Sequence, residues 1–105
     1  MQLVPALQEE IIRKMSALPE VRRVILFGSR AREDARPRSD IDLAIDAPAD
    51  SIRLWERVME IVDSLETLLP VDIVFLEQAP PGLAKRIRAE GVVLYDRSAD
   101  RSENQ

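Results

Sequence analysis

Hydrophobic residues recur along the chain at two spacings, which alternate from segment to segment. Residues 2–17, 52–69 and 81–90 place an apolar residue at every third or fourth position, as an amphipathic helix does. Compact or strictly alternating apolar runs between them predict β-strands at residues 22–27, 40–46, 71–76 and 92–95. A short helical turn is expected at residues 29–35. This order predicts an α/β fold, a small mixed sheet of three to four strands packed with helices.

Punctuating residues mark several element ends. Pro19 and Pro70 end the first and third helices, because proline cannot continue a helix. Asp50 or Ser51 is a suitable N-cap for the long helix that follows them. Gly91 stands where a left-handed C-cap is expected.

The length and composition predict one small domain. The chain has 105 residues, of which 46% are apolar and 32% charged, enough for one core and too few for two. We predict a single domain over residues 1–96 and a polar, flexible tail over residues 97–105, where periodicity is lost. No membrane-spanning run or secretory signal is recognisable, so a cytoplasmic protein without a membrane partner is expected.

Missing residue types narrow the chemistry. The chain has no cysteine and no histidine, which excludes disulfides, thiolate zinc sites, cysteine nucleophiles and the commonest general base. Acid–base or metal chemistry therefore has to rely on carboxylates. A net charge of −4 also argues against general nucleic-acid binding.

Basic residues are nevertheless concentrated in one stretch. Six of the fifteen lysines and arginines fall in it: Arg22, Arg23, Arg30, Arg32, Arg36 and Arg38. Such a cluster forms either a solvated face or an anion-attracting rim around a phosphate site.

Three aspartates interrupt the predicted strands. Asp40 and Asp42 lie two apart on a strand that alternates between an apolar and an acidic face, so both carboxylates project from the same side. Asp72 lies in the next strand. Close carboxylates repel unless a cation compensates, and hard oxygen ligands suit Mg²⁺. Two alternatives remain. Asp40 and Asp42 could lie on a solvent-facing strand edge, and Asp72 could form an ion pair with an arginine.

A Gly-Ser pair precedes these acids. Gly28 ends a strand before a helical turn, where the absence of a Cβ lets backbone N–H groups and the Ser29 hydroxyl approach a phosphate. Arg30 and Arg32 follow at once and could neutralise a triphosphate or bind a partner. A lone Gly-Ser after a strand is usually only a turn. The Gly-Ser pair indicates a phosphate site only in combination with the downstream aspartates.

This combination resembles the minimal nucleotidyltransferases, a branch of the DNA polymerase β-like superfamily. The shared pattern is a Gly-Ser, ten intervening residues, Asp-x-Asp and a third aspartate on a later strand. It is carried here by residues 26–32, 39–45 and 71–74. One departure is Glu33, where family members often have glycine after Gly-Ser-Arg-Ala-Arg.

The resemblance implies a site and a reaction. Mg²⁺, as two ions, would be held by Asp40, Asp42 and Asp72, and ATP phosphates by Gly28 and Ser29. A nucleoside monophosphate would pass to an acceptor hydroxyl with loss of pyrophosphate, and Asp72 would help to deprotonate that hydroxyl.

Minimal members are similar to antitoxins that are paired with HEPN-domain ribonucleases. In such pairs the antitoxin adds AMP to a tyrosine of the ribonuclease toxin. The resemblance thus implies a HEPN toxin as partner in a hetero-oligomer. Two alternatives stay open. One is a non-catalytic antitoxin that acts by complex formation, and the other is a nucleotidyltransferase for a small-molecule or RNA acceptor.

Overall fold

A computed structural model describes residues 1–98, in which helices and strands alternate. The helices are α1 (Pro5–Ser16), α2 (Ser29–Arg32), α3 (Ile52–Ser64) and α4 (Pro81–Glu90). The strands are β1 (Arg23–Phe27), β2 (Ile41–Asp46), β3 (Val71–Phe75) and β4 (Val92–Asp96). The predicted α/β class is therefore confirmed.

The strands form one mixed sheet in the order β3-β2-β1-β4. The central strand β1 pairs antiparallel with both β2 and β4. The pair β2–β3 is parallel and is connected through α3, as a parallel pair requires a crossover. This crossover brings β3, a distant segment in sequence, directly beside β2.

The larger part of the core lies on the face of the sheet that α1 and α3 cover. Alternate strand residues supply the sheet side of it, namely Val24, Leu26, Ile41, Leu43 and Ile45. The helices contribute Leu7, Ile11, Met15, Leu54 and Val58 at helical spacing. Burial of each such side chain contributes roughly 1.5–3 kcal/mol to folding.

The opposite face is covered by α4. Ala84 and Ile87 of this helix pack on Ile25 and Ala44. The alternation in β2 predicted that Ala44 lies on the same face as the aspartates, and α4 buries it completely there. A residue as small as alanine lets the helix lie close to the sheet. The aspartates at either end of β2 are thus left at the margins of α4.

Boundaries or caps differ from the predicted ones at several helix ends. The helix α3 begins as predicted, with the Ser51 hydroxyl accepting a hydrogen bond from the Leu54 amide, but it ends at Ser64, before Pro70. The turn α2 ends at Arg32. Gly91 is not left-handed, since its φ is −69°. It is needed because a Cβ there would collide with the Ile87 carbonyl and the Ile25 side chain.

The end of the described chain is anchored at Arg97. Its guanidinium donates to the backbone carbonyls of Ser16, Leu18 and Val21, at 3.0 Å in each case. The predicted flexible tail begins at this residue, and its part from residue 99 onward lies outside the described residues. Over residues 1–98, no helix combines the length and apolar character needed to cross a membrane.

Candidate active site

The strand register brings two of the predicted site residues side by side. Asp42 on β2 lies opposite Asp72 on β3 in the parallel pair and opposite Phe27 on β1. Asp40 precedes β2 by one residue, next to the point where the Ile41 amide donates to the Pro70 carbonyl. Neighbouring in-register residues project from the same side of a sheet. Asp42 and Asp72 therefore share one face of the sheet, the face that α4 covers, and Asp40 precedes Asp42 by two residues.

Asp40, Asp42 and Asp72 differ in their contacts from Asp46, a further acid at the other end of β2. Asp46 accepts from Arg23 at 2.9 Å and from Arg22 at 3.3 Å. Within residues 1–98, the side chains of Asp40, Asp42 and Asp72 make no ion pair or hydrogen bond. The alternative that Asp72 is paired with an arginine is thus wrong for this part of the chain. Uncompensated neighbouring carboxylates are costly unless a cation joins them.

The electrostatic cost is concentrated on Asp42. Burial raises the pKa of its carboxyl above the ordinary value of 3.8, and the neighbouring charges of Asp72 and then Asp40 raise it further. Arg32 acts in the opposite direction. The site therefore holds negative charge that a bound cation would relieve.

Removing this charge should stabilise the metal-free protein. Because the folded state raises the pKa of Asp42, stability is lost as pH rises from below 3.8 through the raised value. The variant Asp42→Asn should unfold about 2–4 °C higher at pH 7, since solvent screening leaves roughly 0.5 kcal/mol, and the gain should vanish below the ordinary pKa. Thermal denaturation at several pH values measures this. Asp46→Asn is the control and should not stabilise; an unchanged or lower melting temperature for Asp42→Asn would contradict the assignment.

Gly28 forms the wall beside Asp42. Its φ is +74°, a conformation that side chains disfavour. A Cβ at this position would also overlap the Asp42 carboxylate. The turn thus requires glycine for two separate reasons. Ser29 starts α2 directly after it, half-buried, and its carbonyl accepts from the Asp34 amide.

The unusual Glu33 has a backbone explanation. It ends α2 with φ +67°, the left-handed conformation in which glycine is favoured. Family members with glycine here would adopt it freely, whereas a non-glycine residue costs roughly 1–2 kcal/mol. The Glu33 carboxylate accepts from the amino group of Met1, which is the main reason why its pKa is lowered.

Arg30 does not have the position predicted for it. Its side chain is 9% exposed, and the guanidinium donates to the carbonyls of Gln2, Pro37 and Ser39 at 2.9–3.2 Å. The prediction of direct nucleotide binding by this guanidinium conflicts with these contacts. Since Ser39 immediately precedes Asp40, Arg30 instead fixes the loop from which the first carboxylate projects.

The basic cluster consequently does not form one rim. Arg22 and Arg23 are paired with acids at the far end of β1, and Arg30 is buried. Arg32 alone among the six lies in the cavity described next. It pairs with Asp34 at 3.2 Å and with Glu90 at 3.8 Å.

A cavity of about 220 Å³ opens between the Gly28 turn and α4. Its walls are Phe27, Gly28, Arg32, Asp42, Leu83, Arg86, Ile87 and Glu90. Sequence reasoning missed the contribution of α4. The signal was the spacing of residues 83, 86, 87 and 90, which share one helix face with two polar members. A larger groove of about 410 Å³ lies between α1 and residues 66–69, away from the unpaired acids.

The donor set suits a hard divalent cation. It consists of carboxylate oxygens, without nitrogen or sulfur ligands, and the pKa of the Asp42 carboxyl is raised by burial and then by its acidic neighbours. The side chains do not already form a cage, since residues 1–98 contain no group of three acids in metal-binding arrangement. Mg²⁺ usually takes only one or two protein carboxylates together with substrate phosphates and water. The residues present fit such an ion.

Comparison with known proteins gives the same fold. A crystal structure described as a toxin–antitoxin with AMP-PNP superposes with a TM-score of 0.69 and 28% identity, over 89% of this chain and 76% of that one. The structure of a tri-AMPylated Shewanella oneidensis HEPN toxin with its MNT antitoxin gives a TM-score of 0.64 and 26% identity, over 92% and 76%. These matches confirm the predicted nucleotidyltransferase fold.

Sequence comparison leads to the same group. Protein adenylyltransferase MntA of Shewanella oneidensis is 29% identical over 85 residues, which are 79% of this chain and 60% of that protein. The chain therefore spans well under two thirds of this relative. The family model described as "Polymerase beta, Nucleotidyltransferase" matches residues 9–100. The chain thus belongs to the polymerase β-type nucleotidyltransferase family.

Proposed function

We propose that this protein is a cytoplasmic antitoxin whose partner is a HEPN ribonuclease toxin. It transfers AMP from ATP to the hydroxyl of a tyrosine in that toxin. The observation that carries the proposal is the set of unpaired carboxylates, Asp42 in register with Asp72 and beside Asp40, next to the Gly28 turn. The acceptor is inferred from relatives that are described as a protein adenylyltransferase and as an MNT antitoxin bound to an AMPylated HEPN toxin.

Each part of the site has a role in this reaction. Asp40, Asp42 and Asp72 would hold Mg²⁺, as two ions, which supplies Lewis-acid stabilisation of the phosphate charge when bound. The backbone at Gly28 and the hydroxyl of Ser29 hold the phosphates. Arg30 keeps Asp40 in place through the Ser39 carbonyl rather than by touching the nucleotide.

The transfer exchanges one P–O bond for another. The acceptor oxygen bonds to the α-phosphorus, the bond from that phosphorus to the bridging oxygen breaks, and pyrophosphate leaves with the electron pair. Asp72 accepts the proton of the hydroxyl. It suits this role because its side chain is exposed and β3 is one of the two edge strands of the sheet.

A test with two labelled forms of ATP separates this function from others. The purified protein is incubated with a HEPN partner, Mg²⁺ and ATP labelled at either the α- or the γ-phosphate. We expect label in the partner protein from α-labelled ATP only, at a tyrosine located by mass spectrometry. Transfer from γ-labelled ATP would indicate a kinase instead. Absence of any transfer, with a stable complex, would favour the binding antitoxin.

A further inference from the structure

One cation at the candidate active site has no partner. Arg86 lines the cavity that also contains Gly28 and Asp42, and its side chain is exposed. In the part of the chain that the structure describes, its guanidinium makes no ion pair or hydrogen bond. The other arginine of the cavity, Arg32, is engaged by Asp34 and Glu90. Arg86 is therefore the cavity cation that is free to bind an anion.

The size of the cavity limits what it can take. Its volume of about 220 Å³ is below the roughly 300–1,000 Å³ of pockets that enclose a drug-sized ligand. It therefore accommodates one end of a nucleotide. A guanidinium offers several donors in a planar fork that matches phosphate oxygens, so the charged end suits it better than the base.

The position of the cavity identifies that end. Asp42 lines this cavity and is in register with Asp72 on β3, while Arg86 lines the same cavity from α4. A triphosphate bound at the Gly28 turn, with its reacting phosphorus at the carboxylates and the acceptor at the open β3 edge, extends its remaining phosphates toward α4.

We propose that Arg86 binds the β- and γ-phosphates of the donor nucleotide and so stabilises the departing pyrophosphate. This inference rests on the proposed nucleotidyl transfer. Negative charge grows on the bridging oxygen as the bond to the α-phosphorus breaks, and a guanidinium bound to the departing phosphates stabilises such charge.

Binding measurements on Arg86→Ala test the proposal, with Arg88→Ala as the matched control. Arg88 is on the same helix and exposed but does not line the cavity. Affinities for a non-hydrolysable ATP analogue, pyrophosphate and AMP are measured by calorimetry in the presence of Mg²⁺. Arg86→Ala should bind the analogue and pyrophosphate about 10- to 100-fold more weakly, the effect of one charged hydrogen-bonding group, with AMP unchanged. Arg86→Lys should retain part of the affinity, because its charge remains.

Three results would overturn the inference in distinguishable ways. Equal affinities of Arg86→Ala and Arg88→Ala for the ATP analogue would show that Arg86 is only a solvated residue. An equal loss for AMP would place Arg86 at the nucleoside or the α-phosphate rather than at the β- and γ-phosphates. Failure of the unaltered protein to bind any nucleotide would contradict the proposed function itself, and the inference with it.

Discussion

Replacing Asp40 and Asp42 together by asparagine should reduce AMP transfer by at least roughly a thousandfold. The two side chains are a main part of the proposed metal-binding set, and loss of metal-ion stabilisation of a phosphoryl transition state is worth several kcal/mol. Asparagine keeps the size and the hydrogen-bonding oxygen but removes the charge. The double variant should remain folded, because the electrostatic cost on Asp42 disappears with its charge. The initial rate of label transfer from α-labelled ATP is the measurement.

Asp46→Asn provides the matched control for this experiment. Asp46 is on the same strand and the same face, but it is ion-paired with Arg22 and Arg23 at the far end. Its replacement should leave transfer within a few-fold of normal at a temperature where the variant is folded. A double variant that transfers AMP as fast as this control would show that Asp40 and Asp42 are not the metal ligands.

The same double variant separates an enzyme from a binding antitoxin. If neutralisation depends on AMP transfer, cells that produce the toxin should lose protection with the variant. If they remain protected while transfer is abolished, complex formation is sufficient. The result then favours the non-catalytic alternative over the proposed function.

Gly28→Ala should impair both the fold and nucleotide binding. The residue has φ +74°, and an added Cβ would overlap the Asp42 carboxylate, so the backbone or that carboxylate has to move. We expect a loss of about 1–3 kcal/mol in the free energy of unfolding, the range for strain at such a position. We also expect ATP affinity to fall by about tenfold or more, since one lost phosphate hydrogen bond is worth at least that. Denaturant titration and calorimetry measure the two effects.

Gly82→Ala offers a control on the same type of substitution. Gly82 lies in α4 with open space around its Cβ position, and alanine favours a helix over glycine by roughly 0.5–1 kcal/mol. This variant should be as stable as the original or more so, with unchanged nucleotide affinity. Equal behaviour of the two glycine variants would mean that the Gly28 turn is not a constrained part of the site.

The sequence predicted those placements of the candidate site residues that depend on local pattern. Strand alternation placed Asp40 and Asp42 on one face, and the β2–β3 register brings Asp72 beside them. The positions of Gly28 and Ser29 followed from the strand-to-helix change. Such features depend on the period of a strand and on the steric freedom of glycine, both of which are visible in a single sequence.

The features of the site that the sequence did not predict depend on contacts between distant segments. Arg30 was expected at the phosphates, yet its guanidinium binds carbonyls of the N-terminal segment and of the loop before β2. The packing of α4 on Ala44 determined that Arg86 and Glu90 border the cavity. Neither fact follows from periodicity, because each depends on which helix covers which face of the sheet.

The pairing of Asp42 with Asp72 has a consequence for how the site tolerates changes in chain length. Their separation is set by the backbone hydrogen bonds of β2 and β3 rather than by side-chain packing. A shift of β3 by one residue would turn its carboxylate to the opposite face. The connection between α3 and β3 is itself held in place, since Leu65 is buried and the Glu66 amide donates to the Glu10 carboxylate. A single-residue insertion or deletion inside β3 should therefore place the Asp42 and Asp72 carboxylates on opposite faces of the sheet.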